Sequence, residues 1–190
     1  MSHRRFRPWR LAFPLLFAIG AGVFFPGCAT CPVGNPLVPE PAKHVDLQRY
    51  LGRWYELGRY EAGFEQDCEG VTADYSLRDD GLVEILNTCR TGAPDGPVRS
   101  AKGKAKVLAG SGNAKLKVSF FGPFYFGDYW VLDHADDYTW SIVGEPSGKY
   151  LWILHRAPTP GEAEWTALIS RARALGFDTA MVRRTRQPPR

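Results

Sequence analysis

The feature that most constrains this chain is a succession of short alternating segments, separated by tight turns, between Gly52 and Arg156. Val71-Thr72-Ala73-Asp74-Tyr75-Ser76-Leu77-Arg78 sets Val71, Ala73, Tyr75 and Leu77 on one face, the period of two expected of a half-buried strand. Asp79-Asp80-Gly81 turns the chain as a hairpin, and Leu82 to Thr88 returns with Val83, Ile85 and Asn87 on a common face. After the turn region Gly92 to Pro97, Lys102, Lys104 and Lys106 alternate with Gly103, Ala105 and Val107. Such lysines read as the solvated face of a strand rather than a phosphate stripe. Beyond Gly110-Ser111-Gly112-Asn113, Leu116, Val118 and Phe120 alternate with Lys115, Lys117 and Ser119, and an aromatic run from Phe120 to Trp130 is broken by Gly122, Pro123 and Gly127. Tyr138 to Val143 places Trp140 and Ile142 together; Pro146-Ser147-Gly148 leads into Lys149 to Arg156, where Tyr150, Trp152, Leu154 and Arg156 share a face. With Arg53 to Tyr60 at the front, these make eight strands joined by turns of hairpin length. An antiparallel meander of this size closes into an up-and-down barrel, which removes its edges and leaves an interior for side chains or one small ligand.

The flanks agree with a closed barrel. Asp46 caps a helical turn through Tyr50 that Gly52 ends. Trp54, the first large inward residue of the first strand, suits a plug at the barrel's base, although a core tryptophan on an ordinary strand fits the same residues. After the last strand Thr159 caps a helix, Pro160 takes its first position and Gly176 stops it. Glu162 and Glu164 sit at its positive end and Arg171 and Arg173 at its negative end. Trp165, Leu168, Ile169 and Ala172 form one narrow apolar stripe, which packs on a sheet; a membrane-binding helix needs a wider face.

A length of 190 residues implies one domain with appendages. Four arginines, Arg4, Arg5, Arg7 and Arg10, precede the apolar run Leu11 to Phe25, giving the charged and apolar regions of a secretory signal over residues 1–27. Without that segment the chain balances 20 basic against 20 acidic residues, so the formal charge of +4 is no argument for nucleic acid. Phe25-Pro26-Gly27-Cys28 resembles a bacterial lipobox, with Cys28 as the acylated new N-terminus; Phe25 departs from the usual leucine, and Cys31 competes. Ala29 is not the aspartate that retains such lipoproteins in the inner membrane, so the resemblance implies an outer-membrane anchor facing the periplasm. Residues 28–44 hold Pro32, Pro36, Pro39 and Pro41 and read as an extended tether of about 3.1 Å per residue. The barrel domain with its helix is expected over 45–185, and 186–190 form a tail.

No motif for covalent, metal or phosphate chemistry is present in the sequence, and no cofactor is expected. His134 beside Asp133 and Asp136 reads as a polar hairpin tip rather than an acid/base pair, and four scattered histidines do not make a metal site. Cys68 precedes the second strand and Cys89 ends the third, so a hairpin turning at Asp79-Asp80 brings them together, and export favours a disulfide.

Several stretches, in order, resemble the lipocalins, and more closely the bacterial outer-membrane lipocalins of the apolipoprotein D-like group. They are Tyr50-Leu51-Gly52-Arg53-Trp54-Tyr55-Glu56, Tyr75-Ser76-Leu77-Arg78-Asp79-Asp80-Gly81, Lys117-Val118-Ser119-Phe120-Phe121-Gly122-Pro123-Phe124-Tyr125 and Tyr150-Leu151-Trp152-Ile153-Leu154. The resemblance implies that Trp54, following Gly52, stacks on Arg156 at the closed base. It also implies a small apolar ligand, a fatty acid or lysophospholipid, bound without chemistry. The inward-facing candidates for lining the site are Tyr75, Leu77, Ile85, Asn87, Val118, Phe120, Trp140, Tyr150 and Trp152. Two rivals stand beside the carrier: an enzyme using Cys68 or Cys89 as a free nucleophile, as in the lipocalin-type prostaglandin synthase, and an envelope-structural lipoprotein with a filled barrel. A homodimer is left open.

Overall fold

A computed structural model describes residues 32–188. The signal segment and Cys28 lie outside the described residues. A short helix α1 (Leu47–Tyr50) leads into β1 (Gly52–Tyr60), followed by β2 (Cys68–Leu77), β3 (Val83–Thr91), β4 (Val98–Val107), β5 (Lys115–Ser119), β6 (Gly127–His134), β7 (Trp140–Gly144) and β8 (Leu151–His155). Helix α2 (Glu162–Ala174) and a short strand β9 (Val182–Arg184) complete the chain. Each strand pairs antiparallel with its neighbour in sequence, and β1 closes the circuit by pairing with both β2 and β8. The result is the expected eight-stranded closed barrel. Strand β9, a three-residue piece without alternation, extends the sheet beside the upper part of β1, at Gly58, Arg59 and Tyr60.

The meander gives the barrel two ends. Loops 78–82, 108–114 and 135–139 lie at the base with α1, and loops 61–67, 92–97, 120–126 and 145–150 lie at the opposite, open end. Asp46 Oδ1 accepts from the backbone N–H groups of Gln48 and Arg49 and so caps α1. Gly52 leaves this turn at φ +89°, a conformation costly for a residue with a Cβ, which is why the strand can start at once.

Helix α2 begins later than Thr159 and Pro160 suggested. Gly161 is its N-cap, and the Gly161 carbonyl accepts from both Glu164 and Trp165. Its end follows expectation: Gly176 (φ +92°) donates to Arg173 O and Phe177 donates to Ala172 O, the paired bonds of a Schellman stop. Leu168, Ala172 and Phe177 pack on Leu57, Leu132, Ile142, Leu151 and Ile153, which are outward residues of the barrel. A second core, inside the base, holds Val45, Tyr50, Trp54, Val131, Tyr138, Val143 and Leu154.

Two terminal segments are docked where a free tether and tail were expected. The Gly34 N–H donates to Gly148 O, Asp178 N donates to Gly34 O, and Asn35 Nδ2 donates to Leu175 O. The chain then crosses the outside of the barrel to its base, where Val45 N donates to Gly112 O. At the other terminus Gln187 Nε2 donates to Glu56 O and Val71 O, so the barrel unit extends past 185.

Candidate ligand-binding site

At the base, the Arg156 guanidinium lies 3.7 Å from the Trp54 ring centroid. Its Nη1 donates to Arg53 O at 2.7 Å, and its Nη2 donates to Arg49 O at 2.8 Å and Leu51 O at 3.0 Å. One cation thus satisfies the carbonyls at the end of α1 and covers the face of a fully buried indole. Trp54 Nε1 donates to Tyr50 O at 2.8 Å, so neither ring nitrogen nor ring face is left unpaired. Gly52, Trp54 and Arg156 therefore seal one end of the barrel.

Above this floor the inner wall is apolar: Val45, Leu51, Val83, Ile85, Ala105, Leu116, Val118 and Val131 line a partly open space of about 20 Å³. That is room for about one water molecule. The wall carries one polar device, a chain of hydroxyls. Tyr50 meets Ser141 Oγ at 2.9 Å and Tyr129 at 3.0 Å, and Tyr129 meets Tyr75 at 3.1 Å. Burial pushes the Tyr50 hydroxyl up to about 12 and those of Tyr75 and Tyr129 higher, so all three stay neutral and serve as donor and acceptor at once. Tyr75, Tyr129 and Trp152 point inward yet are only half-buried, so the space beside them is not filled by protein.

Nearer the mouth is a buried ionic cluster. Arg59, wholly buried, donates from Nη1 to Glu56 Oε1 at 2.7 Å and from Nη2 to Glu61 Oε1 at 2.9 Å. Burial works against its charge, but Glu56, Glu65 and Glu61 outweigh that and hold the guanidinium above its ordinary range. Thr185 donates to Glu56. Glu65, from the β1–β2 loop, accepts from Trp152 Nε1 at 2.9 Å. Burial, with the Glu56 charge adding to it, pushes the Glu65 carboxyl up to about 8, so near neutral pH it is held mainly as the acid.

The structure distributes the sequence candidates unevenly. Tyr75, Ile85 and Val118 line this space. Asn87 faces inward opposite Ala73 and Ala101, and its Oδ1 is buried with no hydrogen-bond partner. Trp152 and Tyr150 stack at 5.8 Å near the mouth, with Phe64 5.6 Å from Tyr150. Leu77 shares the face of its partner Val83 but is half exposed at the β2–β3 turn, past the floor. Phe120 lies against Gly103 at the rim, partly exposed.

Trp140 is a correction: it is on the outer face beneath α2, with Arg171 5.3 Å from its ring. Strand β7 is covered on both sides, by the lumen and by the helix, so its alternation carries no contrast that tells inside from outside. Ser141 and Val143 are the inward pair. Tyr50, Tyr129, Leu116 and Glu65 were not foreseen as site residues. Tyr129 stood in the aromatic run and Leu116 on a face already marked apolar, whereas nothing local marked Glu65.

Cys68 and Cys89 are joined, with Cα atoms 5.4 Å apart, tying the upper ends of β2 and β3. Both sulfurs are used, so neither is the free nucleophile of the enzyme rival. The His134 ring nitrogens face the backbone carbonyls of Ala135 and His44, and Asp133 is paired with Arg171 and Lys43. Among the described residues no group of three or more His, Cys, Asp or Glu side chains is placed to hold a metal.

This geometry is shared with known proteins. Insecticyanin of the tobacco hornworm superposes with a TM-score of 0.61 over 83% of this chain and 86% of its own, at 18% identity, which speaks for the fold. The outer membrane lipoprotein Blc of Escherichia coli is 39% identical over 178 residues, 92% of this chain and 97% of that protein. The Blc protein of Vibrio cholerae is 38% identical over 165 residues, 86% and 93% of the two chains. Mouse apolipoprotein D is 36% identical over 118 residues, 62% of this chain and 59% of its own. Residues 45–187 match the family described as the lipocalin-like domain, and with the barrel closed on Trp54 and Arg156 the chain belongs to the lipocalins.

Proposed function

We propose that this protein is an outer-membrane lipoprotein that holds one small apolar ligand, a fatty acyl chain, inside its barrel and releases it unchanged. The observation that carries this reading is the continuous apolar wall from Val45 to Val131, sealed below by Trp54 and Arg156. The anchor is placed on Cys28, with Cys31 as the competing site, and the barrel faces the periplasm. The names of the Blc relatives support the membrane assignment.

The acyl chain is a fatty acid or a lysophospholipid. Asn87 Oδ1 offers an unpaired acceptor to a hydroxyl or acid on the ligand. To reach the space of about 20 Å³ above the floor, the chain displaces Tyr75 and Tyr129, and their hydroxyl contact breaks. The same small void favours a second reading, a structural lipoprotein whose filled barrel carries no ligand.

A chain-length series decides between them. Each buried methylene contributes about 0.8 kcal/mol, so affinity read from tryptophan quenching rises with acyl length and then levels off. Flat, weak binding at every length leaves the structural lipoprotein. Native mass spectrometry of freshly purified protein identifies any ligand it carries from the cell.

A further inference from the structure

The open end of the barrel exposes what the base conceals. Phe121, Phe124 and Phe126 in the β5–β6 loop are 74%, 59% and 81% exposed, and Phe64 in the β1–β2 loop and Val98 at the start of β4 are also exposed. At the base end Leu77 is the sole large apolar side chain so exposed among the described residues. The aromatic loop is flanked by cations: the ammonium groups of Lys106 and Lys104 lie 4.7 and 5.7 Å from the Tyr125 ring centroid, and Lys102 continues their face of β4. Asp95 is exposed on the adjacent β3–β4 loop and Asp67 on the β1–β2 loop across the mouth, which biases any approach to an anionic surface toward the β5–β6 side.

The N-terminal segment indicates what covers this end. Gly34 is fixed to Gly148 in the β7–β8 loop, which belongs to the open end. The chain then uses residues 34–45 to travel down the outside of the barrel to the base. Cys28 is six residues before Gly34, a reach of at most about 20 Å. An acyl group on Cys28 is therefore tied within that reach of the open end, whereas the base is reached only through the further residues 34–45.

We propose that the open end docks onto the leaflet that holds the anchor. Phe121, Phe124 and Phe126 enter the interfacial layer, where aromatic side chains are favoured, and Lys102, Lys104 and Lys106 meet lipid phosphates. The lumen then opens toward the bilayer, and an acyl ligand passes between membrane and barrel without crossing water. This rests on the reading of the protein as an acylated lipoprotein.

The test uses the full-length lipoprotein carrying Cys31→Ser, reconstituted in vesicles of phosphatidylethanolamine and phosphatidylglycerol that contain nitroxide-labelled lipid. An environment-sensitive fluorophore is placed at Phe124→Cys in one sample and at Asp79→Cys, in the base turn, in another. The label at 124 shifts to the blue and is quenched several-fold more than the label at 79; adding Phe121→Ser and Phe126→Ser weakens that quenching while near-ultraviolet circular dichroism is unchanged. Equal quenching at the two sites, or stronger quenching at 79, overturns the docking. Mass analysis of the N-terminal peptide separates the two ideas. Acylated Cys28 with equal quenching defeats the docking alone, and a chain with no acyl group removes the anchor and the docking with it. A parallel protein carrying Cys28→Ser and keeping Cys31 covers acylation at Cys31, where the reach is three residues; equal quenching at 124 and 79 in that protein overturns the docking as well.

Discussion

The two ends of this barrel are built on opposite principles. At the base, Trp54 is enclosed, its N–H is paired to Tyr50 O, and Arg156 covers its face while bonding the carbonyls of Arg49, Leu51 and Arg53. At the mouth, phenylalanines face solvent and a partly buried Glu65 is held mainly protonated near neutral pH, and on the wall between the ends Asn87 Oδ1 has no partner. Satisfied groups resist change, whereas unsatisfied ones respond to whatever arrives. The base thus carries stability and the mouth carries recognition, and substitutions at the two ends separate the roles.

The largest effect is expected at the floor. Removing a fully buried tryptophan side chain costs about 3–5 kcal/mol, so Trp54→Ala lowers the thermal midpoint steeply while any ligand that still binds keeps its rank order. Calorimetry with the acyl series checks both halves. A change in ligand preference without loss of stability would break the division of roles. Next comes the bridge between β2 and β3. Cys68→Ser with Cys89→Ser opens a loop of sequence separation 21, a loss of about 3 kcal/mol in the chain-entropy account. Denaturant unfolding with and without reductant measures it, and the double variant is insensitive to reductant.

The sequence showed much of this division at the base and little at the mouth, for a physical reason. Turns and alternation are local, so the meander, the Gly52 exit from α1 and the Gly176 stop could be read from neighbours in the chain. Which face of a strand looks inward is local only where the other face meets water. It held for Tyr75 and Ile85, and it failed for Trp140, whose outer face is covered by a helix that follows in sequence. The ionic cluster joins Glu56 and Arg59 on β1 with Glu65 in a loop and Thr185 beyond β9. Four residues spread across most of the chain leave no spacing to recognise. The docked segment from Gly34 to Val45 was hidden too, because its prolines describe an extended chain equally well against a barrel or away from one.

A smaller effect is expected from Glu65, and it depends on pH. In the unfolded chain this carboxyl titrates in the ordinary glutamate range, near 4.3, and in the folded chain at about 8. Between those values the native state holds a proton that the unfolded state has released. The stability this group contributes is therefore present at low pH and lost as pH rises toward the folded value. Glu65→Gln keeps the bond from Trp152 but cannot ionise, so its thermal midpoint should fall less than that of the natural protein between about pH 5 and about pH 9. Parallel pH profiles that never diverge would show that Glu65 is ionised throughout and belongs with the satisfied groups of the base.

The smallest effect tests the boundary between the two ends. Tyr129 is the central hydroxyl of the chain from Ser141 to Tyr75, bonded on both sides at 3.0 and 3.1 Å. Tyr129→Phe removes both contacts and leaves the ring in place, a loss of about 1 kcal/mol per hydrogen bond at most. If these hydroxyls belong to the stable floor, the variant is less stable and binds acyl chains as before. If they latch the space above the floor, the variant is less stable yet binds more tightly, since the ligand no longer has to break those bonds. Thermal denaturation and a single acyl titration on the same preparation give both numbers. Lower stability with tighter binding assigns the tyrosines to the mouth, and lower stability with unchanged affinity assigns them to the base.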